Sequence, residues 1–123
     1  MDPLLASKIQ HKEHREWLEK LNFYQDEIRI FQNELLLVLH KHANNLSLLE
    51  HVNEYREIFL RKLDLLDRFR HQIVRHEAQL VPKVGSGEDD FVTHNELRHE
   101  LGEFEKQFDE LKQNFRRFVA HND

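Results

Sequence analysis

What this chain lacks narrows its chemistry first. None of its 123 residues is a cysteine, so disulfides, thiolate metal sites and cysteine nucleophiles are excluded. Its three serines, at positions 7, 47 and 86, have no evident base beside them, and no G-x-S-x-G turn occurs. Gly85-Ser86-Gly87 lacks both the lysine and the preceding strand of a phosphate-binding loop. Only two prolines and three glycines interrupt the chain, which leaves room for long helices. The longest apolar run, Leu35 to Leu39, is far short of the roughly 20 residues that span a bilayer. Met1-Asp2-Pro3-Leu4-Leu5 has no basic and apolar leader character, so a cytoplasmic location is expected. Basic charge is not in excess: 18 Lys and Arg mingle with 23 Asp and Glu, for a net charge of −5. Without a basic face to displace counterions or meet anionic lipid, neither nucleic acid nor a membrane is an expected partner.

What is present is charge and grease in helical alternation. Charged residues at 33% and hydrophobic residues at 39% are the composition of amphipathic helices with solvated outer faces. Two breaks divide the chain. Ala43-Asn44-Asn45-Leu46-Ser47 is rich in turn formers, with Ser47 and Glu50 spaced as a capping box. Val81-Pro82-Lys83-Val84-Gly85-Ser86-Gly87 is the second, followed by Glu88-Asp89-Asp90, which suit the positive end of a helix dipole. Thr93 with Glu96 has capping-box spacing too, and Asp2-Pro3 reads as a cap and first-turn proline. The chain is therefore expected to be one all-α domain, 1–123, with helices near 3–42, 47–80 and 89–120.

Inside each segment apolar residues recur at 3-4-3-4 spacing, the seam of a coiled coil. The first segment offers Trp17, Leu21, Tyr24, Ile28, Phe31, Leu35 and Val38. The second offers Leu48, Val52, Tyr55, Phe59, then a lone Lys62, then Leu66, Phe69 and Ile73; the third offers Leu97, Leu101, Phe104, Phe108, Leu111, Phe115 and Phe118. Short loops make consecutive helices antiparallel neighbours, so the expected topology is an up-down-up antiparallel three-helix bundle. A hairpin centred on Asn45 pairs seam positions whose numbers total 90, such as Val38 with Val52 and Trp17 with Ile73. A total of 170 between the second and third segments then gives every layer a third member; Trp17, Ile73 and Leu97 share one. Lys62 falls in the layer of Ile28 and Phe108, where its stem can pack while its ammonium reaches water.

Two features exceed what a bundle needs. Phe23, Ile30 and Leu37 recur every seven residues on a line well round from the seam, with Leu36 beside them. Such a stripe suits contact with another helix, in a second copy of the chain or in a partner. The bland alternative is that the bundle itself covers it. The second feature is histidine. Of ten histidines, His11, His40, His71 and His99 fall on outer faces, but His14, His76 and His94 occupy seam positions in one layer, a step outside Trp17, Ile73 and Leu97. Three converging imidazoles suit a divalent transition metal, with Glu13 and Glu77 placed to orient them. Against that, histidine is amphipathic and polar residues commonly close the end of a bundle. His42, with His51 and His121, forms a less ordered group at the other end. A di-iron carboxylate site is not expected, because Glu96-Leu97-Arg98-His99 alone has the Glu-x-x-His spacing and both its ends flank the seam residue.

With no catalytic constellation visible, the favoured expectation is a non-enzymatic helical module for self-association or contact with another helical protein, using Phe23, Ile30, Leu36 and Leu37. It requires no cofactor. The competing expectation is a small metal-binding or metal-sensing protein that holds a divalent transition metal on His14, His76 and His94.

Overall fold

The computed structural model describes residues 3–79 and 87–122, with side chains for 4–78 and 94–122. Three helices account for nearly all of them: α1 (Pro3–Lys41), α2 (Leu46–Gln79) and α3 (Gly87–His121). At 1.5 Å per residue each is about 50 Å long or slightly more. Cross-helix contacts fix the directions. Arg70 of α2 reaches Asn22 and Gln25 of α1 while Glu77 reaches His14, so α2 runs against α1. Glu13, Lys20 and Glu27 of α1 meet Arg98, Glu105 and Lys112 of α3, so α3 runs with α1. The expected up-down-up bundle is what these contacts describe.

Helix ends differ from expectation in two places. The cap of α2 is Asn45, whose Oδ1 accepts the Leu48 amide at 3.1 Å, while Ser47 lies within the first turn. Asparagine at this position satisfies one of the amides that a helix start leaves unbonded, so the helix begins two residues earlier than a Ser47 cap implies. Thr93 lies inside α3, because the helix already starts at Gly87 and carries Glu88, Asp89 and Asp90 in its first turn. Asp2 and the break at 81–86 lie outside the described residues.

The seam is the core. Trp17, Leu21, Tyr24, Ile28, Phe31, Leu35 and Val38 of α1 are buried, as are Phe59, Leu66, Phe69 and Ile73 of α2 and Leu97, Phe104, Phe108 and Phe115 of α3. Its middle is aromatic. Phe115 packs against Phe31, Tyr55 and Phe59 with ring centroids 5.0–5.2 Å apart, and Tyr24 sits 4.8 Å from Phe108. Each such ring removes enough apolar surface from water to contribute roughly 2–3 kcal/mol. Lys62 is half-buried; its Nζ donates to Gln107 Oε1 at 3.2 Å and lies 5.4 Å from the Phe104 ring centroid. Burial pulls the Lys62 ammonium below the usual lysine range.

A ladder of ion pairs runs beside the α1–α3 seam. Glu13 pairs with Arg98, Lys20 with Glu105 and Glu27 with Lys112, each a heptad after the last. These are the flanking positions through which parallel coiled-coil helices choose register. The signs alternate, so a slip of seven residues either way sets like charges opposite one another, Lys20 against Lys112 or against Arg98.

Candidate metal centre

His14 reaches the bundle axis from α1, His76 from α2 and His94 from α3, each at the seam position one layer beyond Trp17, Ile73 and Leu97. His14 is 0% exposed, His94 1% and His76 8%. One nitrogen from each ring lies within 4.8 Å of the other two. The three residues that the register placed in one layer are thus brought together. Trp17 forms the floor, its ring 4.9 Å from that of His94 and 5.5 Å from that of His14.

Two carboxylates hold the outer edges of this layer. His14 Nδ1 donates to Glu77 Oε1 at 2.9 Å, and the other oxygen of Glu77 is 2.5 Å from His11 Nδ1. His94 Nε2 is 3.4 Å from Glu13 Oε1, and Glu13 is clasped by the Arg98 guanidinium through contacts of 2.6 and 2.9 Å. Between the rings, His14 Nε2 and His94 Nδ1 are 3.1 Å apart. A continuous polar chain therefore crosses the core, from His11 on one side to Arg98 on the other.

Both carboxyls are held ionised. The Arg98 guanidinium keeps Glu13 below the ordinary carboxylate range. Burial pushes Glu77 up, but hydrogen bonds from His14 and His11 outweigh it and hold this group down too. The histidines move the other way. Burial lowers the pKa of His14, only partly opposed by Glu77, and burial likewise lowers His94 against the pull of Glu13.

A count of protons along Glu77–His14–His94–Glu13 gives the site its chemistry. Three contacts join these four groups, and each requires one proton, yet two neutral imidazoles bring only two. Every buried side-chain nitrogen and oxygen among the described residues has a partner within hydrogen-bonding distance, but one of these three partnerships lacks a proton. If the carboxylates take the protons of the outer nitrogens, His14 Nε2 and His94 Nδ1 present lone pairs to each other. Only a cation between the rings, a proton or a metal ion, makes that arrangement favourable. Carboxylate-held outer nitrogens are also how proteins orient and strengthen histidine ligands. Two imidazole nitrogens bound tetrahedrally at 2.0–2.1 Å to zinc stand roughly 3.3 Å apart, close to the separation of this pair.

Other sequence-indicated residues fall elsewhere. Phe23, Ile30, Leu36 and Leu37 are 57, 55, 53 and 61% exposed, so the bundle does not cover the stripe. Three of them form one line, while Leu36 stands a helical step away, towards α2. His42 binds the Asn122 carbonyl at 2.7 Å, and His51 faces Glu54 and the Phe118 ring, so the histidines of the opposite end do not converge. That end instead has a groove of about 560 Å³ between α2 and α3, floored by Leu48, Tyr55 and Phe118. Glu96 and His99 are exposed, as their flanking positions require. Sequence reasoning anticipated Glu13 and Glu77 but missed Arg98 and the engagement of His11. The signal for both was positional: 98 is four residues after His94, and 11 is three before His14. No known protein family matches the chain, and neither a curated protein nor a solved structure is similar to it. Among the described residues no helix is long and apolar enough to cross a membrane.

Proposed function

We propose that this protein binds a divalent transition metal in its three-histidine layer, with His14, His76 and His94 as ligands and Glu77 and Glu13 as the groups that orient His14 and His94. The convergence of three buried imidazoles, one nitrogen of each within 4.8 Å of the other two, carries the reading. Buried imidazoles with carboxylates on their outer nitrogens have the electron pairs of a metal site. Neutral imidazole suits Zn, Ni and Cu, and a buried position between helices makes a structural or sensing role the natural one. Titration of the metal-free chain with Zn, Ni and Cu tests it, followed by thermal unfolding and by the emission of Trp17, the one tryptophan. A metal held at 100 times its dissociation constant adds about 2.7 kcal/mol of stability, a rise in Tm of roughly 10 °C for a chain of this size. No shift with any of the three metals refutes the proposal.

A second reading is favoured by the uncovered stripe. Phe23, Ile30 and Leu37 offer a line of large apolar side chains along α1, and self-association through that line is consistent with metal binding on the seam. Light scattering reads the assembly state directly. Ile30→Lys should leave the chain folded and shift any dimer to monomer; lost folding with no change in assembly defeats this reading.

A further inference from the structure

The metal layer draws one ligand from each helix, and for α3 that ligand sits in a stretch with few other anchors. From Phe104 to Phe118 the helix is held by stacked and edge-on rings: Phe104 on Tyr24 and Phe69, Phe108 on Phe31, Phe115 on Tyr55 and Phe59, and Phe118 on Tyr55. Between His94 and Leu101 the anchors are aliphatic or polar: Leu97 and the core-packed Leu101, His94 against the Trp17 ring and within the histidine layer, and the Arg98–Glu13 pair. At the junction stands Gly102, the one glycine in the interior of a described helix. A Cβ built there meets nothing within 4 Å, so no close approach calls for glycine. Glycine in a helix interior weakens the helix relative to alanine. Beside it the α1–α3 groove opens into a space of about 200 Å³ lined by Trp17, Tyr24, Leu101 and Gly102. Loose packing and a weak helical position coincide where the aromatic core ends.

We infer that α3 is a two-part helix jointed at Gly102, and that metal in the three-histidine layer locks its 94–101 half onto the α1–α2 hairpin. The inference rests on the proposed metal site and adds its regulatory consequence. Without metal, the segment has no phenylalanine anchor of its own beyond the weak helical position at Gly102 and opens, uncovering Trp17, Leu21 and Ile73. With metal, one coordination bond per helix ties all three together. Binding and closure are then linked, so whatever favours the closed segment tightens metal binding, by at most the factor by which it shifts the opening equilibrium.

Amide hydrogen exchange on the full chain, with and without Zn, separates the possibilities, and calorimetry on the same samples reports whether Zn binds. Zn is expected to slow exchange at 94–101 by tenfold or more relative to its effect at 104–118. Gly102→Ala, which the open space around residue 102 accommodates, is expected to protect 94–101 in the metal-free chain and to tighten Zn binding by up to about fivefold. Zn binding that leaves 94–101 unchanged, or protects all three helices equally, overturns the joint and leaves the metal site standing. Gly102→Ala that leaves both exchange and affinity unchanged overturns it as well. Failure of Zn, Ni and Cu all to bind overturns the metal site, and the joint with it.

Discussion

The three-histidine layer should make the metal-free chain sensitive to mild acid, with a sign and size that follow from burial. His14 and His94 are almost wholly shielded from water, and burial lowers the pKa of each below its ordinary value. The titratable groups facing them are Glu77 and His76 from α2 and Glu13 with Arg98 along the α1–α3 edge; the carboxylates oppose the shift without cancelling it, while the neighbouring imidazoles and Arg98 add to it. In the unfolded chain both imidazoles take up protons near pH 6.5. A folded pKa below the unfolded one means that the unfolded state binds more protons as pH falls through that value. Stability is therefore fully present above about pH 6.5 and declines below it. At about pH 5.5 a histidine that stays neutral in the fold costs roughly 1.4 kcal/mol. If both stay neutral the loss from neutral pH is at most about 2.8 kcal/mol, and if the pair shares one proton it is about half that.

The measurement is urea unfolding with a chelator present, followed by far-UV circular dichroism, at several pH values between about 7.5 and 5.5. The comparison is His14→Leu/His94→Leu, which removes the two imidazoles whose burial carries the effect. Glu13 and Glu77, held below the ordinary carboxylate range, lose their contributions only in stronger acid, outside this window. The wild-type chain should lose more stability than the leucine variant across the window, by at most about 2.8 kcal/mol, with the urea slope unchanged. Parallel stability curves for the two proteins would refute the assignment of neutral, buried imidazoles to this layer.

Two further outcomes follow from the same coordinates. Phe115→Ala removes a fully buried ring from the centre of the aromatic cluster and should cost about 3–5 kcal/mol in denaturant unfolding; a loss below 1 kcal/mol would mean that the rings are not packed as described. Glu77→Gln keeps an acceptor for the His14 Nδ1 proton but removes the negative charge that strengthens the ring as a ligand. Calorimetry should show zinc affinity falling by roughly 10–100-fold, and an unaltered affinity would detach Glu77 from the site.

Most of the architecture was legible because one period governs it. Apolar residues at 3-4-3-4 spacing can be buried only as a helical seam, and two short breaks leave little choice of direction. The layer of His14, His76 and His94 came from the same arithmetic, since a register that matches Trp17 to Ile73 and Leu97 also matches the residues one layer out. Chemistry on the flanks was harder to see. Arg98 and His11 are ordinary surface residues by heptad position, and their role depends on which neighbouring helix each faces. Periodicity within one helix does not carry that information. The cap of α2 was misplaced for a local reason: Asn45 and Ser47 are both good capping residues, and only the bond to the Leu48 amide distinguishes them. The tautomers of His14 and His94 depend on distances of a few tenths of an ångström, which no spacing rule supplies.

Why this bundle should keep three buried histidines at all is the remaining physical question. Leucines in those positions would bury more apolar surface and leave no polar atom to satisfy. Polar layers are tolerated in coiled coils when they specify register, as a single buried asparagine can. Here register has another guardian. The pairs Glu13–Arg98, Lys20–Glu105 and Glu27–Lys112 alternate in sign, so a heptad slip of α3 along α1 brings like charges together without help from the core. The α1–α2 hairpin is fixed by a short connection and the Asn45 cap. Carboxylates on the outer nitrogens satisfy ring atoms that buried imidazoles bonded only to one another would leave without partners. With Glu77 and Glu13 accepting the outer protons, the inner electron pairs of His14 and His94 face a common point. On the proposed reading, a layer that weakens the apolar core and duplicates the register signal gains its compensation from a bound metal.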